Sequence, residues 1–345
     1  MTARGHQLPP TRRPVLPTGG REAGSPGILR KKLRFWGLLV ALIFLCIGFS
    51  LAAPGFATIL NMQTIANRSA VPLVLAVGMT FILIHGSIDL SMEGIMGVSS
   101  LTFAMTILNS RTDLDFGLFA IVLATLTGAG FGAINGLVVT RLRVPSFMVT
   151  LGVWSFSWGV AMLLSGGRPP LIRDQMWRSF GLGKTVGIPN LVVVALVCLA
   201  VGYVLQAYTR FGRYSFVIGG GEDLARLSGV PVDKYKVLVF VFSGFLAGLA
   251  SVMEAARIGV GHSSIGLDQM FATITAVVIG GTPLSGGQGG VIQSAIGVLT
   301  LAVLANGMIF IGVSPYLQKA VQGAIVIIAV VGATWHLQER LRVVK

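Results

Sequence analysis

The chain is expected to fold as an all-α membrane protein of about ten transmembrane helices, with short or broken helices near its centre and both termini cytoplasmic. Three observations lead there. Of its 345 residues, 54% are hydrophobic and only 11% charged, against about 25% charged in an ordinary soluble domain. Apolar runs recur along the whole length, most of them near the roughly twenty residues that cross a bilayer. Eighteen of the 26 Lys and Arg residues fall in tail 1–34, segment 141–143, loop 210–236 and the end 340–345. Placing these on one side satisfies the preference of basic loops for the cytoplasm. The formal charge of +14 therefore reads as a topology signal rather than a nucleic-acid footprint.

Residues 1–34 are rich in Pro, Gly and Arg and lack an apolar core, so they read as a disordered basic cytoplasmic tail. The apolar run after Arg30-Lys31-Lys32-Leu33-Arg34 is long enough to span, which argues against a cleaved signal peptide. A transmembrane domain over 35–335 then holds apolar segments near 35–53, 69–84, 94–108, 117–140, 147–165, 189–208, 237–256, 270–281, 291–311 and 320–335. Those at 69–84, 94–108 and 270–281 are short, as expected of re-entrant or broken helices covered by their neighbours. Residues 336–345 read as a cytoplasmic C-terminal tail. Cys46 and Cys198 both lie in expected spans, so there is no disulfide framework.

Two breaks interrupt the apolar pattern. In "HGSIDLSMEG", His85, Asp89 and Glu93 sit at the end of a short apolar segment. Asp89 can cap the following half-helix, line a solute path, or exchange protons, because ionisable groups at this depth are costly and usually functional. In "GGTPLSGGQGG", residues 284–288 spell the signature peptide of ABC ATPases. A phosphate cradle of the form G-x-x-x-x-G-K-[ST] is missing, however. The nearest letters, "RSFGLGKT", carry Arg178 where the first glycine is needed. The peptide reads instead as a glycine-rich structural break built on Gly280, Gly281, Pro283, Gly286 and Gly287.

The two breaks resemble each other weakly, and each is followed by Asn-Gly (Asn135-Gly136, Asn306-Gly307) and then by Pro145 or Pro315. That ordering is compatible with a duplicated core. Asn135 and Asn306 suit a path lining or an interhelical hydrogen bond. Trp154 and Trp158, spaced i, i+4 on one helical face, suit a path lining, a packed core or an interfacial anchor.

The longest hydrophilic loop, 209–236, contains "EDLARLSG". Glu222 and Asp223 fall in a first turn, where negative charge complements the helix dipole. Leu224, Leu227 and Ala225 share a side, and Gly229 stops the helix. Such a helix fits a groove on a soluble partner or serves as a solvated turn.

Here the chain resembles the permeases of ribose-type ABC importers. Glu222, Ala225 and Gly229, with Asp223, Arg226 and Leu227 between them, match the segment that couples such permeases to their ATPase. The peptides "GSIDLSMEG", "VPSFMVTLG", "SGGRPP" and "VVIGGTPLSGGQGG" follow the family's order over residues 70–335. LSGGQ is then a variant of a permease loop. The family's usual Gly and Val-Gly are replaced by Ser87 and Met92-Glu93.

The resemblance implies a non-enzymatic subunit without cofactor or metal, in a bacterial inner membrane. It imports a monosaccharide, sugar alcohol or similar small polyol. Its implied partners are a second permease copy, identical or homologous, a separate ABC ATPase, a periplasmic sugar-binding protein and membrane lipid, with no nucleic acid. Asp89, Glu93, Asn135, Trp154, Trp158 and Asn306 are the candidate path residues. The alternative is an ion-coupled carrier titrating Asp89, Glu93 or Glu254. A passive channel finds no residue support.

Overall fold

The computed structural model describes residues 26–341. Residues 1–25 and 342–345, the greater part of the expected N-terminal tail and the end of the C-terminal one, lie outside the described residues. Thirteen helices follow in order: α1 Pro26–Ala52, α2 Ile59–Ile84, α3 Met92–Met105, α4 Phe119–Arg141, α5 Ser146–Ser165, α6 Gln175–Leu182, α7 Asn190–Tyr208, α8 Arg210–Gly220, α9 Glu222–Leu227, α10 Val232–Ile258, α11 Gln269–Ile279, α12 Val291–Phe310 and α13 Pro315–Leu341. Among the described residues, α2, α4, α5, α7, α10 and α12 are long and apolar enough to cross a membrane. Each of the ten apolar segments falls on a helix. Residues 26–34, assigned from the sequence to the disordered tail, belong to α1, and residues 336–341 continue α13.

Three differences from the sequence reading have physical causes. The segment at 69–84 is not short, because α2 begins at Ile59 and carries Pro72 in its interior. Asn61, Gln63, Asn67 and Arg68 hide its first turns from an apolar count. Besides the expected α9, two helices, α6 and α8, and a two-residue antiparallel pair, β1 (Lys184–Thr185) with β2 (Ile188–Pro189), lie in the connections between the apolar segments. The fold is mostly, not wholly, helical. In contrast, α3 with 14 residues and α11 with 11 are as short as expected.

Small residues set the centre. On α4, Gly128, Gly132 and Gly136 recur every fourth position; the first two face Gly244 and Gly248 of α10, and Gly136 faces Val237. A Cβ on Gly128 would lie 2.2 Å from the Gly244 carbonyl oxygen, and one on Gly132 2.2 Å from that of Phe240. The helices therefore meet backbone to backbone, the arrangement that substitutes for the absent hydrophobic drive between helices in lipid. α2 is buried along most of its length and packs on α10, α12 and α7. α3 fills the space between α4, α5 and α10, while α1 packs on α12 and α13 mainly on α11.

Candidate functional site

Two neighbouring regions carry the candidate residues, one in the middle of the bundle and one at the end where α8 and α9 lie. In the middle, α2 ends at His85 and α3 starts at Met92. The unwound backbone between them is closed by Asp89, which is fully buried. One carboxylate oxygen accepts the Ser91 N–H at 2.9 Å and the Ser91 hydroxyl at 2.5 Å, and the other accepts the Ser243 hydroxyl at 3.2 Å. Asn135 donates to the same Ser91 hydroxyl at 2.7 Å. Asp89 thus ties α10, and Ser91 ties α4, to the start of α3. Ser91 and Ser243 are not among the sequence candidates. The "DLS" spacing points to the first; nothing local to Ser243 marks the second.

The six path candidates separate by exposure. Asp89, Asn135 and Asn306 are sealed in the protein, at 0%, 0% and 4% exposure. Glu93 and Trp154 are half-buried, and Trp158 is exposed. Glu93 lies in the first turn of α3, where its carboxylate accepts the Met270 N–H of α11 at 3.4 Å. Gly94 packs directly on the Trp154 backbone. The Trp154 and Trp158 rings stack at 6.3 Å with their planes 4° apart. Glu254 pairs with Arg257 at 2.7 Å, away from both breaks.

The LSGGQ loop lies beside the end of α2. The Gly287 N–H donates to the Ile84 carbonyl at 2.8 Å, and Gly86 approaches Ser285. The two breaks therefore pack against each other. α8 joins them through Gly219, where a Cβ would lie 1.7 Å from the Ile84 oxygen and 2.6 Å from the Gly287 nitrogen. His85 Nε2 and the Ser215 hydroxyl, 2.9 Å apart, add a side-chain tie to α8. Gly286 and Gly287 have φ of +81° and +72°, as the sequence break requires, and Gly281 has +94°. Gly280 departs from this. Its φ is −60°, and it is needed for close approach to Gln293 of α12.

α9 follows α8 directly. Gly229, at φ +76°, donates to the Arg226 carbonyl, and the Val230 N–H donates to that of Ala225, both at 3.0 Å. These are the paired bonds of a Schellman stop. Ala225 is buried among Ile218, Val232 and Tyr214. Leu224 and Leu227 are 70% and 84% exposed, which corrects the expectation that they share a side with Ala225. Six residues make under two turns, and only Ala225 is small enough for the crowded face against α8.

Glu222 does not project freely either. Its carboxylate is held by Arg226 at 3.0 Å and by Lys236 of α10, while Arg226 also pairs with Asp233. Partial burial alone would raise the Glu222 carboxyl, but Lys236 and then Arg226 outweigh it and hold it below the usual carboxylate range. Asp223, Leu224 and Leu227 remain outward-facing. The sequence reading misses Lys236, whose pairing needs the α9–α10 turn.

Residues 61–330 match the family of branched-chain amino acid transport system permease components. The chain belongs to this family. It is 35% identical to the ribose import permease protein RbsC of Escherichia coli over 85% of this chain and 91% of that one. It is 33% identical to RbsC of Bacillus subtilis over 88% and 92%. With the L-arabinose transport system permease protein AraH of Escherichia coli it shares 32% over 86% and 90%. No solved structure matches the chain. The family places the chain among multi-pass membrane permeases, not enzymes, and the LSGGQ letters belong to a permease loop.

Proposed function

We infer that the chain is the membrane-spanning subunit of an ATP-driven importer for a monosaccharide, sugar alcohol or similar small polyol in a bacterial inner membrane. Similarity to ribose and arabinose permeases along nearly the whole chain carries this reading over an amino acid substrate. The partners are a second permease subunit, an ABC ATPase and a periplasmic sugar-binding protein. α9 is the docking knob for the ATPase. Its outward Leu224 and Leu227 suit an apolar groove, and Ala225, the ion pairs of Glu222 and the Gly229 stop hold it on α8 and α10. Both termini and α9 lie on the cytoplasmic side.

The contacts of α8 support a mechanical role for the LSGGQ loop. Movement of α9 shifts α8, and Gly219 bears on the Ile84 and Gly287 backbones together. Both breaks then move as one, which suits rigid rocking of a bundle around its central helices. Uptake tests the whole reading. Vesicles holding permease, ATPase and binding protein should accumulate ribose or arabinose on addition of ATP, and leucine uptake in their place would return the chain to the amino acid branch.

A further inference from the structure

Glu93 is a charge that the fold leaves partly uncovered. α3 has 14 residues and is about 21 Å long, shorter than a hydrocarbon layer about 30 Å thick, so with its far end at the membrane surface its first turn lies inside that layer. Asp89, four residues earlier, bonds Ser243 near the middle of α10. That places the same region at mid-depth from an independent element. A partly exposed carboxylate at this depth does not face lipid tails; it faces water or a polar solute.

The surface beside it has a matching chemistry. The Trp154 indole N–H and the Asp268 N–H approach the Glu93 carboxylate. Trp158 stacks parallel to Trp154 and is 42% exposed. Asp268 is in turn paired with Lys319 at the start of α13. Indole faces pack on the C–H faces of sugar rings, and a carboxylate accepts hydroxyl protons in charge-assisted bonds. It also repels anionic sugars.

We propose that Glu93 with the stacked Trp154 and Trp158 forms a contact step of the translocation path for a neutral polyhydroxylated solute, and that Glu93 determines which solutes pass it. Asp89, Asn135 and Asn306 have a packing role instead. The proposal rests on the permease reading above, so one arm of its test is independent of substrate. Glu93→Cys is introduced with Cys46→Ser and Cys198→Ser into the assembled transporter in vesicles, and is treated with a charged, membrane-impermeant thiol reagent. Val201→Cys on the exposed side of α7 is the lipid-facing control. Position 93 should react much faster than position 201, and equal rates would overturn the proposal.

The second arm is Glu93→Gln. Ribose uptake should fall about tenfold, the effect of one charge-assisted hydrogen bond, and Trp158→Leu should fall similarly. Hydrolysis of ATP stimulated by the binding protein should persist in both variants, which a packing defect would not allow. Parental uptake in both variants would overturn the proposal. If the parent imported neither ribose nor arabinose, the sugar assignment would fail, and the thiol rates alone would decide whether position 93 faces water.

Discussion

Single residues at the breaks act through backbone contact and buried hydrogen bonds. Gly219 and Gly220 are neighbours at the end of α8, yet a Cβ at 219 meets the Ile84 oxygen at 1.7 Å and a Cβ at 220 meets nothing within 4 Å. Gly219→Ala should therefore cost about 1–3 kcal/mol, seen as a lower thermal unfolding temperature of the purified chain, while Gly220→Ala should be near neutral. Asp89 gives a second contrast. Asp89→Leu leaves Ser91 and Ser243 donors unsatisfied and should cost about 1–3 kcal/mol. Asp89→Asn keeps an acceptor and should retain ATP-driven uptake, whereas a carrier titrating Asp89 would lose it. The sequence marks Asp89 as important, but its hydrogen-bond partners come from α3 and α10, so the brace it forms is visible only in the fold.

At the scale of elements, α9 is the most legible piece and also the most instructive. Its start, its Gly229 stop and its acidic first turn are visible in a few letters, because each is a local backbone requirement. Which face it buries is not, because α8 and α10 decide that. The Glu222 carboxyl is depressed by Lys236 and Arg226, so its contribution is present above the ordinary carboxylate range near pH 4.3 and is lost as pH falls through the lowered value. Being partly exposed, the pair should contribute less than about 1 kcal/mol. Amide exchange in α9 should rise only in that acidic window, and Glu222→Gln should abolish the rise. The short α3 and α11 are legible from their apolar lengths. The full length of α2 is hidden by polar residues in its first turns.

For the whole molecule, the proposed topology puts both termini on one side of the bundle, and the basic asymmetry of the amino-acid sequence is what supports it. A reporter fused after residue 175 should lie on the periplasmic face and one after residue 222 on the cytoplasmic face; the reverse result would detach α9 from any cytoplasmic ATPase. The ordered peptides make the family legible in the amino-acid sequence, whereas the packing of one break on the other, through Gly86, Gly219 and Gly287, requires three distant segments to meet. The most direct measurement of the account is labelled ribose uptake by vesicles containing the permease, its ATPase and its binding protein, with ATP and the proton gradient varied separately. The account predicts uptake that requires ATP, survives collapse of the gradient and is lost in Gly229→Val; uptake that continues without ATP and stops when the gradient collapses would contradict it.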